Sequence, residues 1–451
     1  MTEPRAGPAG PPSAHGRVQA EPGVPPAGNG RYDVVVVGAG PSGSVAALVL
    51  ARAGAKVALV DKAAFPRDKA CGDLVGPRGV QVLDDLEVKV PDAGQGADLL
   101  AVGPSGRRSK LPAFPGRTYP GHGIVVPRLG LDHALREEAL AAGAIGVKGR
   151  VTGVEQDPDG TVRAVVTGDG HRLAGEMIIG ADGALSPVAR LTGMLDPDAA
   201  LWGFAIRAYV PAEVPLPLLV LLDNSPWRIY PGYGWLFPGA DGQANVGIGI
   251  GMGNTRQQAA LRGDLDRFTA LLKERGDLAS DAATSPVTGG WLRMGGTGTP
   301  PAAANVLLIG DAAGLINPLQ GEGIGPGMVS AQLAAQAVLE ELGRPRAAGP
   351  GRDGTPGLSA AGRAYTDALA AGFGRYLPGA AALQRALLQR PRTASAGMRL
   401  LTAPAFRRLI AGTWSIYWNG LVDGARPGPS ALAARAVQGV AGRLPGVAAS
   451  R

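Results

Sequence analysis

Val34-Val35-Val36-Val37-Gly38-Ala39-Gly40-Pro41-Ser42-Gly43 decides the fold. The apolar run, entered from Tyr32, reads as a buried strand, and G-x-G-x-x-G leads from it into a helix predicted over 41–53. Gly38 permits the tight turn, Gly40 lets backbone approach a pyrophosphate, and Gly43 lets helix and strand pack closely. The helix start, with Ala39, Pro41 and Ser42, offers free N–H groups and partial positive charge to a phosphate. A second strand is predicted over 56–60, completing a βαβ unit. Asp61 follows it 18 residues after Gly43, where a carboxylate can accept hydrogen bonds from ribose hydroxyls, with Lys62 beside it. The pattern specifies a dinucleotide site.

Two later segments select the dinucleotide. Gly180-Ala181-Asp182-Gly183 follows a short buried strand and leads to Ser186-Pro187, an N-cap and first-turn pair. Asp182 either bonds the cofactor or orders the loop before Ser186. Asn305 to Ile309 reads as another buried strand, followed by Gly310-Asp311-Ala312-Ala313-Gly314. Asp311 suits ribityl hydroxyls, and Gly321-Glu322-Gly323-Ile324-Gly325 then opens a helix whose N–H groups, at Gly323 and Ile324, can stabilise negative charge on a reduced flavin. FAD is the cofactor these segments call for. No second strand–GxGxxG–helix unit is evident, since Gly295-Gly296-Thr297-Gly298 lacks a clear preceding strand. The electron donor is therefore left open between NAD(P)H docking transiently and a small redox protein.

The remaining chain divides by composition. Residues 1–30 hold 13 Gly or Pro and read as a disordered arm, and Leu342–Gly357 hold 8 in 16, giving a flexible linker over 343–360. A helix is predicted over 131–142, and strand pairs flank the turn Asp157-Pro158-Asp159-Gly160. Residues 201–295 look β-rich. Within them Tyr233, Trp235 and Phe237 alternate with Gly234 and Leu236, so a strand puts three aromatics on one face. That face is either core or the wall of an apolar substrate pocket. Gly247, Gly249 and Gly251 leave one face of another strand bare, for a substrate or another sheet to approach.

One cysteine excludes a disulfide framework, a Cys-x-x-Cys pair and a four-thiolate iron–sulfur cluster; with only four histidines, no metal site is expected. His122 and His133 are read as structural or solvated. The net charge of +7 is uneven: residues 340–451 carry 15 Arg and no Lys against 5 acids. Without a stacking or nucleic-acid module, nucleic acid is not an expected partner. The basic region is either a solvated helix face or a contact for an anionic membrane surface. No run of 18 apolar residues and no signal-peptide core is present, so the expected location is cytoplasmic, peripheral at the inner face of the membrane.

The three fingerprints, in this order, resemble the FAD-dependent group that includes aromatic hydroxylases of the p-hydroxybenzoate hydroxylase fold. More narrowly, Phe65-Pro66-Arg67-Asp68-Lys69-Ala70-Cys71-Gly72-Asp73, Val126-Pro127-Arg128 with Asp132 and Leu135, Tyr233-Gly234-Trp235-Leu236-Phe237-Pro238 and the run from Gly310 to Gly327 are similar to the geranylgeranyl reductase family. Met398-Arg399-Leu400-Leu401-Thr402-Ala403-Pro404 and Gly412-Thr413-Trp414-Ser415-Ile416-Tyr417-Trp418-Asn419 are similar to its actinobacterial menaquinone-reductase branch. The resemblance implies an α/β fold: a discontinuous Rossmann-type FAD domain (31–75, 125–200 and 295–342), an inserted β-rich substrate domain (76–124 and 201–294) and an α-helical C-terminal region (361–451). It implies that Cys71, Gly72 and Asp73 lie beside the flavin and that Arg128 contacts FAD, where the alternative is a surface pair with Asp132. Cys71, close to Arg67 and Lys69, is either a packing thiol or a group that helps deliver a proton. The implied activity is saturation of isoprenoid C=C bonds in a polyprenyl lipid, either menaquinone or a geranylgeranyl group. The same fold also serves flavin monooxygenases acting on aromatics or polyketides, and a catalytically idle lipid or flavin carrier is the third class.

Overall fold

The computed structural model describes residues 30–91, 93–96, 98–103, 106–221, 232–239, 242–251, 256–343, 358–389 and 407–444. The arm before Gly30, most of the predicted linker and the Met398–Pro404 segment lie outside these residues. The strand Gly30–Val37 sits in the middle of a sheet, paired in parallel with Arg172–Gly180 on one side and Val57–Asp61 on the other. Ile145–Lys148 extends it beyond Val57–Asp61, and Val306–Leu308 beyond Arg172–Gly180, both parallel. Val34 to Val37 are buried, which is why the run is apolar without alternation: the parallel strands at the centre of the sheet are covered on both faces.

Helix Pro41–Arg52 follows the glycine turn. It packs against helix Ile324–Leu342, with small buried residues on both helices: Ala46 and Ala47 on the first, Ala331, Ala334 and Ala335 on the second. Helix Arg128–Ala141 packs on the other side. It starts three residues before the predicted Leu131, so Arg128 is its first residue and Asp132 lies one turn further on. Pairing at i and i+4 places the two side chains on one face.

A second sheet of seven strands runs in the order Thr288–Met294, Leu201–Pro211, Gln243–Gly251, Gly232–Pro238, Leu218–Leu221, Leu99–Val102, Arg108–Leu111. Its outer face is covered by helix Arg256–Glu274, which the reading of 201–295 as β-rich missed. Leu261, Leu265, Phe268 and Leu272 recur at helical spacing and are buried against Val210, Val246 and Ile248. Gly234 faces this helix because a Cβ there would lie 2.5 Å from the Phe268 ring. Its neighbours Tyr233, Trp235 and Phe237 therefore point to the inner face.

A three-stranded sheet of Leu74–Val75, Gly123–Val125 and Gly94–Gly96 joins the two layers. Helix Pro77–Asp85, placed in the substrate domain by a boundary at residue 76, packs instead against helix Ile324–Leu342. A Cβ on Gly79 would come within 3.2 Å of the Gly325 backbone, and Val80, Val82 and Leu83 belong to the core of the first layer. Helices Ala360–Phe373, Leu377–Gln389, Arg407–Trp418 and Pro429–Ala441 form the C-terminal region. Tyr365 ties it to the first layer by donating to the Leu308 carbonyl at 2.7 Å. No described helix is long and apolar enough to cross a membrane.

Phe268 is fully buried, so Phe268→Ala is expected to destabilise the substrate layer by about 3–5 kcal/mol. Urea denaturation followed by tryptophan fluorescence measures it.

Candidate active site

The first glycine turn is built by contact. Gly38 has φ +105°, and a Cβ there would lie 2.3 Å from the Ala181 carbonyl oxygen; a Cβ on Gly43 would lie 1.7 Å from the Gly38 carbonyl oxygen. Gly40 differs, because a Cβ there would meet nothing nearer than Arg67 Nη2 at 3.7 Å and Arg128 Nη2 at 3.9 Å. It faces a cavity of about 550 Å³, bordered also by Pro41, Ser42 and Lys62. The Ala39 N–H donates to Asp61 Oδ2 at 2.7 Å and the Ala63 N–H to Oδ1 at 2.8 Å. Asp61 thus holds the turn and keeps further lone pairs on both oxygens.

Arg128 donates through Nε and Nη2 to the two oxygens of Asp132 at 2.6 and 2.7 Å, and Arg67 Nη1 lies 2.8 Å from Oδ2. Arg128 is 4% exposed and Asp132 0%, so this is a buried cluster and not the surface pair weighed from the sequence. Burial opposes the Arg128 charge, but the Asp132 charge and hydrogen bonds outweigh it and push the guanidinium above its usual value. Two guanidiniums share one carboxylate beside Gly40. The surplus positive charge, with the N-terminus of helix Pro41–Arg52, matches a diphosphate.

Gly310 has φ +56°, and a Cβ there would collide with Ser42 Oγ. The turn it forms puts Asp311 on the cavity with Lys69, whose Nζ lies 3.8 Å from Asp311 Oδ2. Gly323 and Ile324 border the same space at the start of helix Ile324–Leu342. Asp182 lines the cavity too, yet its oxygens accept from Ser186 Oγ and, at 2.8 Å, from the Val188 N–H. It orders the loop before helix Pro187–Leu191, one of its two predicted roles, while still bordering the cavity. Burial raises its carboxyl against those hydrogen bonds.

The opposite wall belongs to the second sheet. Tyr233, Trp235 and Phe237 line the cavity with ring centroids 6.0 and 6.2 Å apart in sequence. Trp235 explains the bare glycine face: a Cβ on Gly247 would overlap its indole, and one on Gly249 would touch it at 3.5 Å. The indole from the neighbouring strand covers Gly247, while Gly249 and Gly251 border the cavity. Cys71 and Gly72 run beneath the wall, and a Cβ on Gly72 would meet Phe237 at 3.2 Å and Trp235 Nε1 at 3.4 Å. Asn245, unremarked in the sequence, locks this contact. Its Oδ1 accepts from Trp235 Nε1, and its Nδ2 donates to the Cys71 carbonyl and to Asp73 Oδ2, each at 2.8 Å.

Asp73, expected on the cofactor, does not border the cavity. It is buried with φ +63°, and its Oδ2 also accepts from the Tyr209 hydroxyl at 2.7 Å. Burial raises its carboxyl despite those bonds. Burial also pushes the Cys71 thiol up, and Arg128 offsets this only in part. Desolvation is the larger of the two influences. Tyr233, whose hydroxyl donates to the Gln320 carbonyl, is likewise held above its usual value by burial and by Cys71 and Glu322. Glu322, a second residue passed over in the sequence, accepts from the Gly76 and Gly325 N–H groups at 3.0 and 3.3 Å and pins two helix starts to the cavity. Neither His122 nor His133 borders it.

A family model described as an FAD binding domain matches residues 31–199. The chain is 38% identical over 320 residues to a menaquinone reductase of Mycolicibacterium smegmatis, covering 68% of this chain and 76% of that protein. It is 30% identical over 332 residues to digeranylgeranylglycerophospholipid reductase 1 of Methanopyrus kandleri, covering 69% and 81%. The fold matches the crystal structure of a geranylgeranyl bacteriochlorophyll reductase-like protein from Thermoplasma acidophilum, with TM-score 0.66 and 24% identity over 87% of this chain and 98% of that one.

Asp132→Ala leaves two guanidiniums without their carboxylate. It is expected to cost about 3–5 kcal/mol of stability and to lower the flavin content of purified protein, read by denaturation and absorbance. Because its thiol is held protonated, Cys71 of flavin-free protein is expected to react with iodoacetamide more slowly than free cysteine at neutral pH and to accelerate only at a higher pH than free cysteine does. Mass spectrometry across a pH series measures this.

Proposed function

The chain belongs to the geranylgeranyl reductase family of FAD-dependent oxidoreductases, and from that premise we propose that it saturates isoprenoid double bonds of a polyprenyl lipid, with the menaquinone side chain the preferred substrate. The observation that carries this reading is the aromatic wall of Tyr233, Trp235 and Phe237 across one cavity from the dinucleotide cradle. A prenyl chain laid on that wall gains about 0.8 kcal/mol per buried CH₂. Gly38 to Gly43, Asp61, Lys62, Asp311, Gly323 and Ile324 are assigned to the cofactor, with Arg128 and Arg67 balancing its diphosphate. When bound, reduced FAD supplies the hydride that one alkene carbon receives.

The other carbon needs a proton, and Cys71 is suited to help deliver it. A thiol held up by burial keeps its proton at neutral pH, and Arg128 stabilises the thiolate left behind. The Tyr233 hydroxyl is tethered to Gln320 and frames the same space. Asn245 keeps Trp235 against the Cys71–Gly72 backbone, which fixes the height of the wall above the reacting region. One dinucleotide fingerprint serves FAD, so the reducing electrons come from NAD(P)H docking transiently or from a small redox protein. Contact with an anionic membrane surface through the basic C-terminal region brings the lipid within reach. The names of the sequence relatives support reduction over hydroxylation.

Anaerobic reoxidation of the reduced holoenzyme by menaquinones, prenyl diphosphates and aromatics tests the reading. Addition of two hydrogens to one prenyl lipid, seen by mass spectrometry, is the expected result; hydroxylation coupled to O₂ consumption would overturn it. Cys71→Ala is expected to slow reoxidation by the lipid about 10²-fold with flavin content unchanged, whereas unaltered reoxidation returns the thiol to packing.

A further inference from the structure

Seven large apolar side chains are exposed among the described residues, and five of them, Phe114, Leu409, Leu432, Val437 and Val440, belong to the C-terminal helices or touch them. Leu409 lies on helix Arg407–Trp418, and the last three on helix Pro429–Ala441, which packs against it. Phe114 meets the first helix where Gly412 has no side chain, its ring 3.4 Å from the position of a Cβ.

Helix Pro429–Ala441 turns Ala431, Ala434 and Ala441 inward. A solvated helix carries polar residues on its outer side, but Leu432, Ala436 and Val440 form an exposed stripe here at i, i+4 and i+8, with Leu432 and Val440 each 65% exposed. Arg435 and Arg443 flank the stripe, and Arg408 and Arg426 are exposed on the neighbouring segments. Asp423 is the one carboxylate in residues 407–444. Apolar side chains ringed by arginine and nearly free of acid fit the interface of an anionic bilayer, with the helix lying in its plane.

The same region closes the cavity. Ser415, Trp418 and Asn419 of the first helix and its junction border it together with the exposed Phe114. Ser415 Oγ donates to the Pro112 carbonyl at 2.7 Å, seating the helix on the Phe114 segment, and Trp414 stacks on Trp418 at 4.0 Å. The helix thus has cavity on one side and the apolar, basic face around Leu409 on the other.

We propose that this face docks on an anionic lipid bilayer and that the prenyl chain passes from the bilayer into the cavity between Phe114 and Trp418, without crossing water. The portal rests on the reductase reading; the docking face does not. The test is sedimentation of the holoenzyme with phosphatidylcholine vesicles and with vesicles containing phosphatidylglycerol. It is paired with reduction of a prenyl lipid presented either in vesicles or in detergent micelles. Wild type is expected to bind the anionic vesicles, less so at high salt. Leu432→Ser/Val440→Ser and Arg435→Glu/Arg443→Glu are each expected to weaken binding about tenfold or more and to lose activity on the vesicle lipid while keeping it in micelles. Variants that bind and turn over vesicle lipid like wild type, or a wild type that ignores anionic vesicles, would overturn the proposal. So would a dimer broken by the same substitutions in a protein that does not bind vesicles, because a second copy then covers the face. A wild type that binds vesicles but reduces no prenyl lipid in micelles defeats the reductase reading and the portal while the docking face stands.

Discussion

The carbonyl oxygen of Gly38 occupies the space that a side chain on residue 43 would need. This contact brings helix Pro41–Arg52 onto the central strand closely enough for its first N–H groups to face the cavity. Much follows from it. The close helix requires the alanine-rich face of Ile324–Leu342 behind it, and Ser42 lies against Gly310, where no side chain fits. Three glycine-bearing segments distant in sequence thereby converge on one cavity, the proposed cofactor cradle. The buried pairing of Arg67 and Arg128 with a single Asp132 leaves that cradle positively charged, and it does so out of water, where charge is weakly screened.

The second layer is joined to the first by a small set of buried polar groups. Asn245 makes three hydrogen bonds, to Trp235, to the Cys71 carbonyl and to Asp73, and Tyr209 adds a further bond to Asp73. A buried amide with all these partners in place has one satisfactory orientation, so the aromatic wall cannot slide over the Cys71–Gly72 backbone without leaving polar atoms unpaired. The cavity between the layers combines a charged end with an aromatic face. The same burial that makes it apolar keeps the Cys71 and Tyr233 protons in place.

Local signals were strong where one short segment carries the whole requirement. The glycine turn, the acid after the second strand, the Ser186–Pro187 helix start and the alternation of Tyr233, Trp235 and Phe237 each obey a rule of backbone geometry or period. The helix over 256–274 was equally open to reading, through Leu261, Leu265, Phe268 and Leu272. It was hidden by the strands on either side of it. Asp73 misled because its neighbours Cys71 and Gly72 do face the cavity, while a positive φ turns its own side chain into the second layer.

By itself the sequence determined the dinucleotide-binding βαβ unit, the order of the three cofactor segments and the existence of an aromatic strand face. These depend on contacts within a few residues and on periodicity. Tertiary structure alone decided that Trp235 fills the bare face at Gly247, that Arg128 is buried with Asp132 and Arg67, and that Asn245 fastens wall to backbone. It also decided that desolvation outweighs the Arg128 charge at Cys71, and that a C-terminal helix presents apolar side chains outward. Each of these depends on which distant groups share a volume from which water is excluded, and no spacing along the chain encodes that directly.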